Sequence, residues 1–473
     1  MKSFFSLSTV LVLIFATLLP VLYLTGCATN KESPQLEKTE SKPKKEYTKQ
    51  DFLEDVNKKL QADDMEGALA LFETMPEKFR EDFGLRVVKA SLLFSAERLE
   101  ESKALCTELS TEDPSNADVK ELLALIAQKE GNSKERTKII NEMIAQNPND
   151  PGANIALAQD TIINGKGKAR YKTARSYYAK AYKGDPANED ALFGLALTDY
   201  FLEEDERAKD ELNRLIEKNP SYSGAYYYLG KLAEAENEHL IASRYAKKAL
   251  DFEPDNYDYL MDWGMYERQL GHFENAENAW SKAISIQDDY FLAYVYRAGL
   301  YDEQERFTEA IADYKKVIAL KPDYYFAYES IGVLAIHDKD WITAGSAFMK
   351  CWQKNPDNIS YPLMVTYCYY MLGKDLEAKN FSDKLLRKMN RNSMDYAMLR
   401  VWHDKAGEKT LPQRIQKVEN SNQRGKMYFY LALLYDMYGG HELAKEYYAK
   451  ILNMSSPLFF EYRIAEWNAG VTK

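Results

Sequence analysis

The chain has 473 residues, enough for several ordinary domains or for one long repeat array. Apolar residues make up 45% and charged residues 29%, the balance of a soluble folded protein rather than a disordered one. The formal net charge is −11, so the chain is a poor match for phosphate backbones, which argues against nucleic acid as a partner.

The N-terminal segment, MKSFFSLSTVLVLIFATLLPVLYLTGC, holds one charge, Lys2, followed by a mostly apolar run that ends at Leu24. This is the layout of a secretory signal. An uncleaved membrane-spanning helix is the competing reading, since about 20 apolar residues can cross a bilayer; Pro20 weighs against it. The run ends in Leu24-Thr25-Gly26-Cys27, which resembles the lipobox of bacterial lipoproteins. The resemblance implies that residues 1–26 are removed as a signal peptide and that the Cys27 thiol carries lipid, with palmitate among the acyl chains. Each buried CH₂ then adds about 0.8 kcal/mol to membrane attachment. It also implies a place in the bacterial cell envelope, anchored to a membrane, with the folded body in the periplasm or at the surface. Ala28, not an aspartate, follows Cys27, which points to the outer membrane over the inner. Residues 27–49 are expected to form the lipidated end and a flexible tether, because 28–47 are polar, of mixed charge and almost free of bulky apolar groups.

From residue 50 onward the chain is periodic. Gly230, Gly264, Ala298 and Gly332 are 34 residues apart. Ala242, Ala276, Ala310 and Ala344 follow them, then Ala246, Trp280, Tyr314 and Phe348, and Pro254, Asp288, Pro322 and Pro356 close the units. The apolar spacing within each unit predicts two amphipathic helices of about 12–14 residues. Small residues let paired helices approach closely, and proline ends the second helix. This pattern resembles the tetratricopeptide repeat (TPR). The resemblance implies an all-α superhelical solenoid of about ten to twelve helix–turn–helix repeats over 50–453. Upstream, Ala196, Ala208 and Pro220 keep the register, and Ala158, Ala174 and Pro186 keep it with an insertion around 164–170; residues 393–422 depart from it. Residues 454–473, with the apolar face of LFFEYRIAEWNAG, are expected to form a capping helix and tail on the final repeat; a partner-docking helix is the alternative.

Catalytic motifs are not legible. The five histidines are scattered by repeat and form no metal-ligand pair, and Ser-nucleophile and phosphate-loop signatures are not found, so no catalytic residue, metal or cofactor is expected. Cys106, Cys351 and Cys368 fall at core-type positions and read as buried thiols; a Cys351–Cys368 disulfide between adjacent repeats is the other reading. The resemblance turns one face of each first helix toward a concave groove. On that face stand Phe193, Tyr200, Phe201, Tyr227, Met261, Met265, Arg268, Phe326, His337, Tyr367 and Tyr370. Aromatic rings, methionine and arginine are the side chains enriched at binding hot spots. Within AYYYLG, residues 225–230, Tyr226 is expected in packing, Tyr227 in the groove, and Tyr228 against a neighbour or partly exposed. The expected function is a membrane-anchored scaffold or adaptor that holds an extended peptide or partner protein in the groove, in envelope protein assembly. A lipoprotein that binds a small hydrophobic ligand or solute is the alternative.

Overall fold

The computed structural model describes residues 46–470; Cys27 and the segments flanking it lie outside the described residues. Among the described residues there are 25 α-helices and no strand, so the fold is all-α. The helices are paired as the 34-residue period requires. They fall into two compact units, one ending at Pro220 and one starting at Ser221. In the first unit, Phe83–Ser95 pairs with Leu99–Glu112, Ala117–Lys129 with Ser133–Gln146, Pro151–Asn164 with Gly167–Gly184, and Glu189–Phe201 with Asp205–Lys218. In the second, the pairs include Ser223–Ala235 with His239–Phe252, Tyr257–Gln269 with Phe273–Ile286, Phe291–Glu303 with Phe307–Leu320, and Tyr325–His337 with Trp341–Lys354.

Local chemistry sets both ends of these helices. Several first helices start two residues after the closing proline, at an Asn or Asp whose side chain accepts a backbone N–H. Asn116, Asp150, Asn188 and Asn256 bond Val119, Ala153, Ala191 and Tyr259 in this way. Each such cap satisfies one of the orphan donors at the helix start. The turn inside most of the hairpins takes one left-handed residue. Glu97, Gly131, Glu203, Asn237, Gly271, Glu305, Lys339, Gly373 and Gly439 fill it, with φ from 59° to 78°.

The helix crossings explain the small residues. Trp280 and Phe348 are fully buried. A Cβ on Gly264 would lie 2.5 Å from the Trp280 indole Nε1, and one on Gly332 would lie 2.9 Å from the Phe348 ring. Where the facing side chain is only Ala246, the backbones close up instead: a Cβ on Gly230 would lie 3.2 Å from the Ala242 carbonyl oxygen. Glycine therefore makes room either for a large ring or for the neighbouring backbone.

Several details can be set beside the sequence expectations. The 164–170 insertion is absorbed by a lengthened second helix, the 18-residue Gly167–Gly184. In 393–422 a first helix, Met394–Asp404, survives, but the second shrinks to the six-residue Leu411–Gln416. Cys106, Cys351 and Cys368 are free and buried, which removes the disulfide reading. Burial pushes the Cys106 thiol up to about 11, so it is a core group rather than a nucleophile. The C-terminal helix Glu461–Asn468 packs on Ser421–Met437 and His441–Leu452 as a cap would, and also reaches back to Tyr325–His337.

Candidate partner-binding face

The first helices of the second unit carry a row of polar and aromatic side chains that links one repeat to the next. Tyr227 donates its hydroxyl to Asp262 at 2.8 Å, and the Lys231 ammonium bonds the same carboxylate at 2.7 Å. Gln269 donates to Glu234 at 3.0 Å. One repeat further, Arg268 Nε donates to Glu303 at 2.9 Å. The Tyr227 ring lies 4.6 Å from that of Tyr259, and the Lys231 ammonium sits 5.2 Å from its centroid. Burial, then the charge and hydrogen bond of Asp262, hold the Tyr227 phenol well above its ordinary range, so it acts as a donor. Burial also raises the Asp258 carboxyl, with neighbouring Asp262 adding to the effect. Tyr227, Lys231, Met265 and Arg268 all remain partly exposed. The row is thus fixed by its own bonds and still open to a partner, the condition for low-cost binding.

In the first unit the candidate residues build a separate aromatic cluster. Tyr200 and Phe201 meet edge to face at 5.2 Å, and Phe201 stacks on Tyr171 at 4.6 Å. The Arg170 guanidinium, from the insertion, lies 4.6 Å from the Tyr171 ring and bonds its hydroxyl. Phe201 is exposed, whereas Phe193 and Tyr200 are half-buried.

Other expected positions fall differently. Met261, Tyr367 and Tyr370 are buried in hydrophobic clusters, where Tyr370 bonds the Trp402 carbonyl and Tyr367 meets the Trp402 ring edge-on. Their packing claims most of the surface expected for a partner. Phe326 is exposed and stacks on Tyr325 at 4.1 Å, beside Tyr324. His337 packs within 4.7 Å of both Phe307 and Trp467. Among the three tyrosines, Tyr228 is buried, while Tyr226 is half-buried against Tyr245 and Phe252. Tyr226 is therefore not the deepest of the three; the helix turns Tyr228 inward. Sequence reading passed over Asp262, which accepts bonds from two side chains of the preceding repeat. The available signal was the opposite charge of Lys231 and Asp262, which stand 31 residues apart on the first helices of successive repeats. His239, His272 and His441, at the hairpin turns, each pair with a carboxylate five residues earlier.

The profile described as "Tetratricopeptide repeat" matches residues 167–233 and 261–325. These two segments carry tetratricopeptide repeats. Curated relatives include BBSome complex member BBS4 of Bos taurus, 22% identical over 227 residues, which cover 48% of this chain and 43% of that protein. TPR repeat-containing protein MJ1428 of Methanocaldococcus jannaschii is 25% identical, with 60% of this chain and 53% of that protein covered. The chain thus spans about half the length of these curated relatives. Among solved structures, the APC/C hetero-tetramer Cut9-Hcn1 aligns with a TM-score of 0.46 at 18% identity, covering 68% of this chain and 64% of that one. TPR arrays are generally protein-interaction scaffolds, and the fold is generally not catalytic.

Proposed function

We propose that this protein is a lipid-anchored TPR scaffold of the bacterial cell envelope, on the outer membrane, which holds an extended peptide or partner protein on its first-helix face. The observation that supports this reading is the row Tyr227, Lys231, Asp262, Met265, Arg268 and Glu303. It draws on three successive repeats, is locked by inter-repeat hydrogen bonds, and stays partly exposed. A charged, open row suits a peptide or protein better than a small apolar ligand, which binds in an enclosed apolar pocket. The lipobox at Leu24–Cys27 supports the anchor.

A photo-crosslinking amino acid at Met265, in intact cells, tests the docking face. One partner captured from Met265 and lost with Arg268→Ala is the expected outcome; hot-spot truncation weakens binding by about 2 kcal/mol or more. Equal capture from an outward position such as Lys282 would refute the assignment. Cys27→Ser should abolish radiolabelled palmitate incorporation, and persistence of the label would remove the anchor.

A further inference from the structure

The helix Glu461–Asn468 does more than cover the last repeat. Arg463 donates to the Asp302 carbonyl at 3.0 Å and pairs with the Asp302 carboxylate, 161 residues earlier in the chain. Its guanidinium also lies over the rings of Phe307 and Trp467, at 5.6 and 4.8 Å. Trp467 meets Phe307 at 6.0 Å and His337 at 4.7 Å. Phe460 stacks against both Phe348 and Tyr361, at 5.4 and 6.0 Å. Tyr430 donates to Glu461 at 2.8 Å, and Ile464 and Ala465 are buried.

One short helix is therefore gripped by side chains from several repeats. Asp302 and His337 belong to the first-helix face on which the polar row lies. The gripping residues of the C-terminal segment, Phe460, Arg463, Ile464 and Trp467, recur at the spacing by which an amphipathic helix anchors in a groove. Charge is complementary: burial raises the Asp302 carboxyl and Arg463 opposes that rise, so the guanidinium is the natural counter-ion there. A helix of eight residues has little stability alone and forms because the face holds it. The stretch between Leu452 and Glu461 contains no α-helix, so the segment can leave without opening a hairpin.

We infer that Glu461–Asn468 is an intramolecular ligand: this part of the first-helix face docks a short amphipathic helix presenting aromatic, guanidinium and indole groups along one side, and the chain's own C-terminus holds the place until a partner helix of that chemistry displaces it. The inference rests on reading the face as a docking surface, and its test needs no cellular partner, so failed capture at Met265 would refute that reading without deciding this one.

The test uses the full-length protein and a fluorescein-labelled synthetic peptide of residues 457–470. The wild-type chain should bind the peptide weakly. The double variant Arg463→Glu, Trp467→Ala should bind it at least about tenfold more tightly, because the self-ligand no longer competes. Hydrogen exchange at 459–468 should rise in that variant while 291–371 stays protected. Adding Asp302→Arg should abolish binding of the wild-type peptide and permit binding of the peptide carrying Arg463→Glu. A folded double variant that binds no better than wild type overturns the inference. So does binding insensitive to Asp302, or a double variant in which protection of 291–371 collapses, since the helix would then be an integral part of the core.

Discussion

Three consecutive tyrosines carry three different loads because a helix rotates each neighbour by about 100°. Tyr228 enters the core, Tyr226 leans on Tyr245 and the exposed Phe252, and Tyr227 spans to the next repeat through Asp262. Tyr228→Ala is expected to cost about 3–5 kcal/mol, the range for emptying a buried aromatic site. Tyr226→Ala should cost clearly less, because part of its ring already meets water. Tyr227→Phe removes only the hydroxyl, and Asp262 keeps its bond to Lys231, so the loss should be about 1–2 kcal/mol. Urea melts of the three variants check the order; a Tyr226→Ala loss equal to that of Tyr228→Ala would contradict it. The TPR resemblance put Tyr227 on the groove face and Tyr226 deeper in packing than Tyr228; the structure reverses the order of the last two, because burial depends on how large the neighbours are.

Single elements show why the same residue type serves opposite ends. Gly264 and Gly299 both sit inside first helices. A Cβ at Gly264 would collide with the buried Trp280 indole, whereas nothing lies within 4 Å of one at Gly299. Gly264→Ala should therefore destabilise by about 1–3 kcal/mol through overpacking. Gly299→Ala should stabilise by about 0.5–1 kcal/mol, because alanine loses less backbone freedom in a helix interior. Thermal unfolding followed at 222 nm measures both, and the two shifts must have opposite sign. The Pro-x-Asn caps and the glycine turns are local signals of the kind a sequence carries. The left-handed Glu305 and Lys339 are not, because nothing in those side chains announces positive φ; the geometry of the hairpin imposes it.

At the scale of the second unit, the C-terminal helix brings buried carboxyls against its neighbours. Glu461 is fully buried, accepts from Tyr430, and is raised above its usual 4.5 chiefly by burial, with Lys426 opposing. Glu329 nearby is raised for the same first reason, with Tyr361 donating to it. A carboxyl whose folded value is raised contributes stability fully below its unfolded value and loses it as pH climbs through the folded one. Wild-type stability should carry such a decline starting above about pH 4.5, and Glu461→Gln should flatten it. Melting curves from pH 4 to 8 on both proteins give the difference; parallel slopes would show that Glu461 does not titrate in that window. The sequence alone determined the repeat period and the all-α class, because those follow from 3.6-residue periodicity and from small residues and prolines at fixed intervals. Only the tertiary structure decided what fills the inward face. Met261, Tyr367 and Tyr370 are spent on packing, Asp262 gathers bonds from the preceding repeat, and Arg463 meets Asp302 across 161 residues. A repeat pattern states contacts between neighbours, and a contact made across several repeats leaves no trace in it.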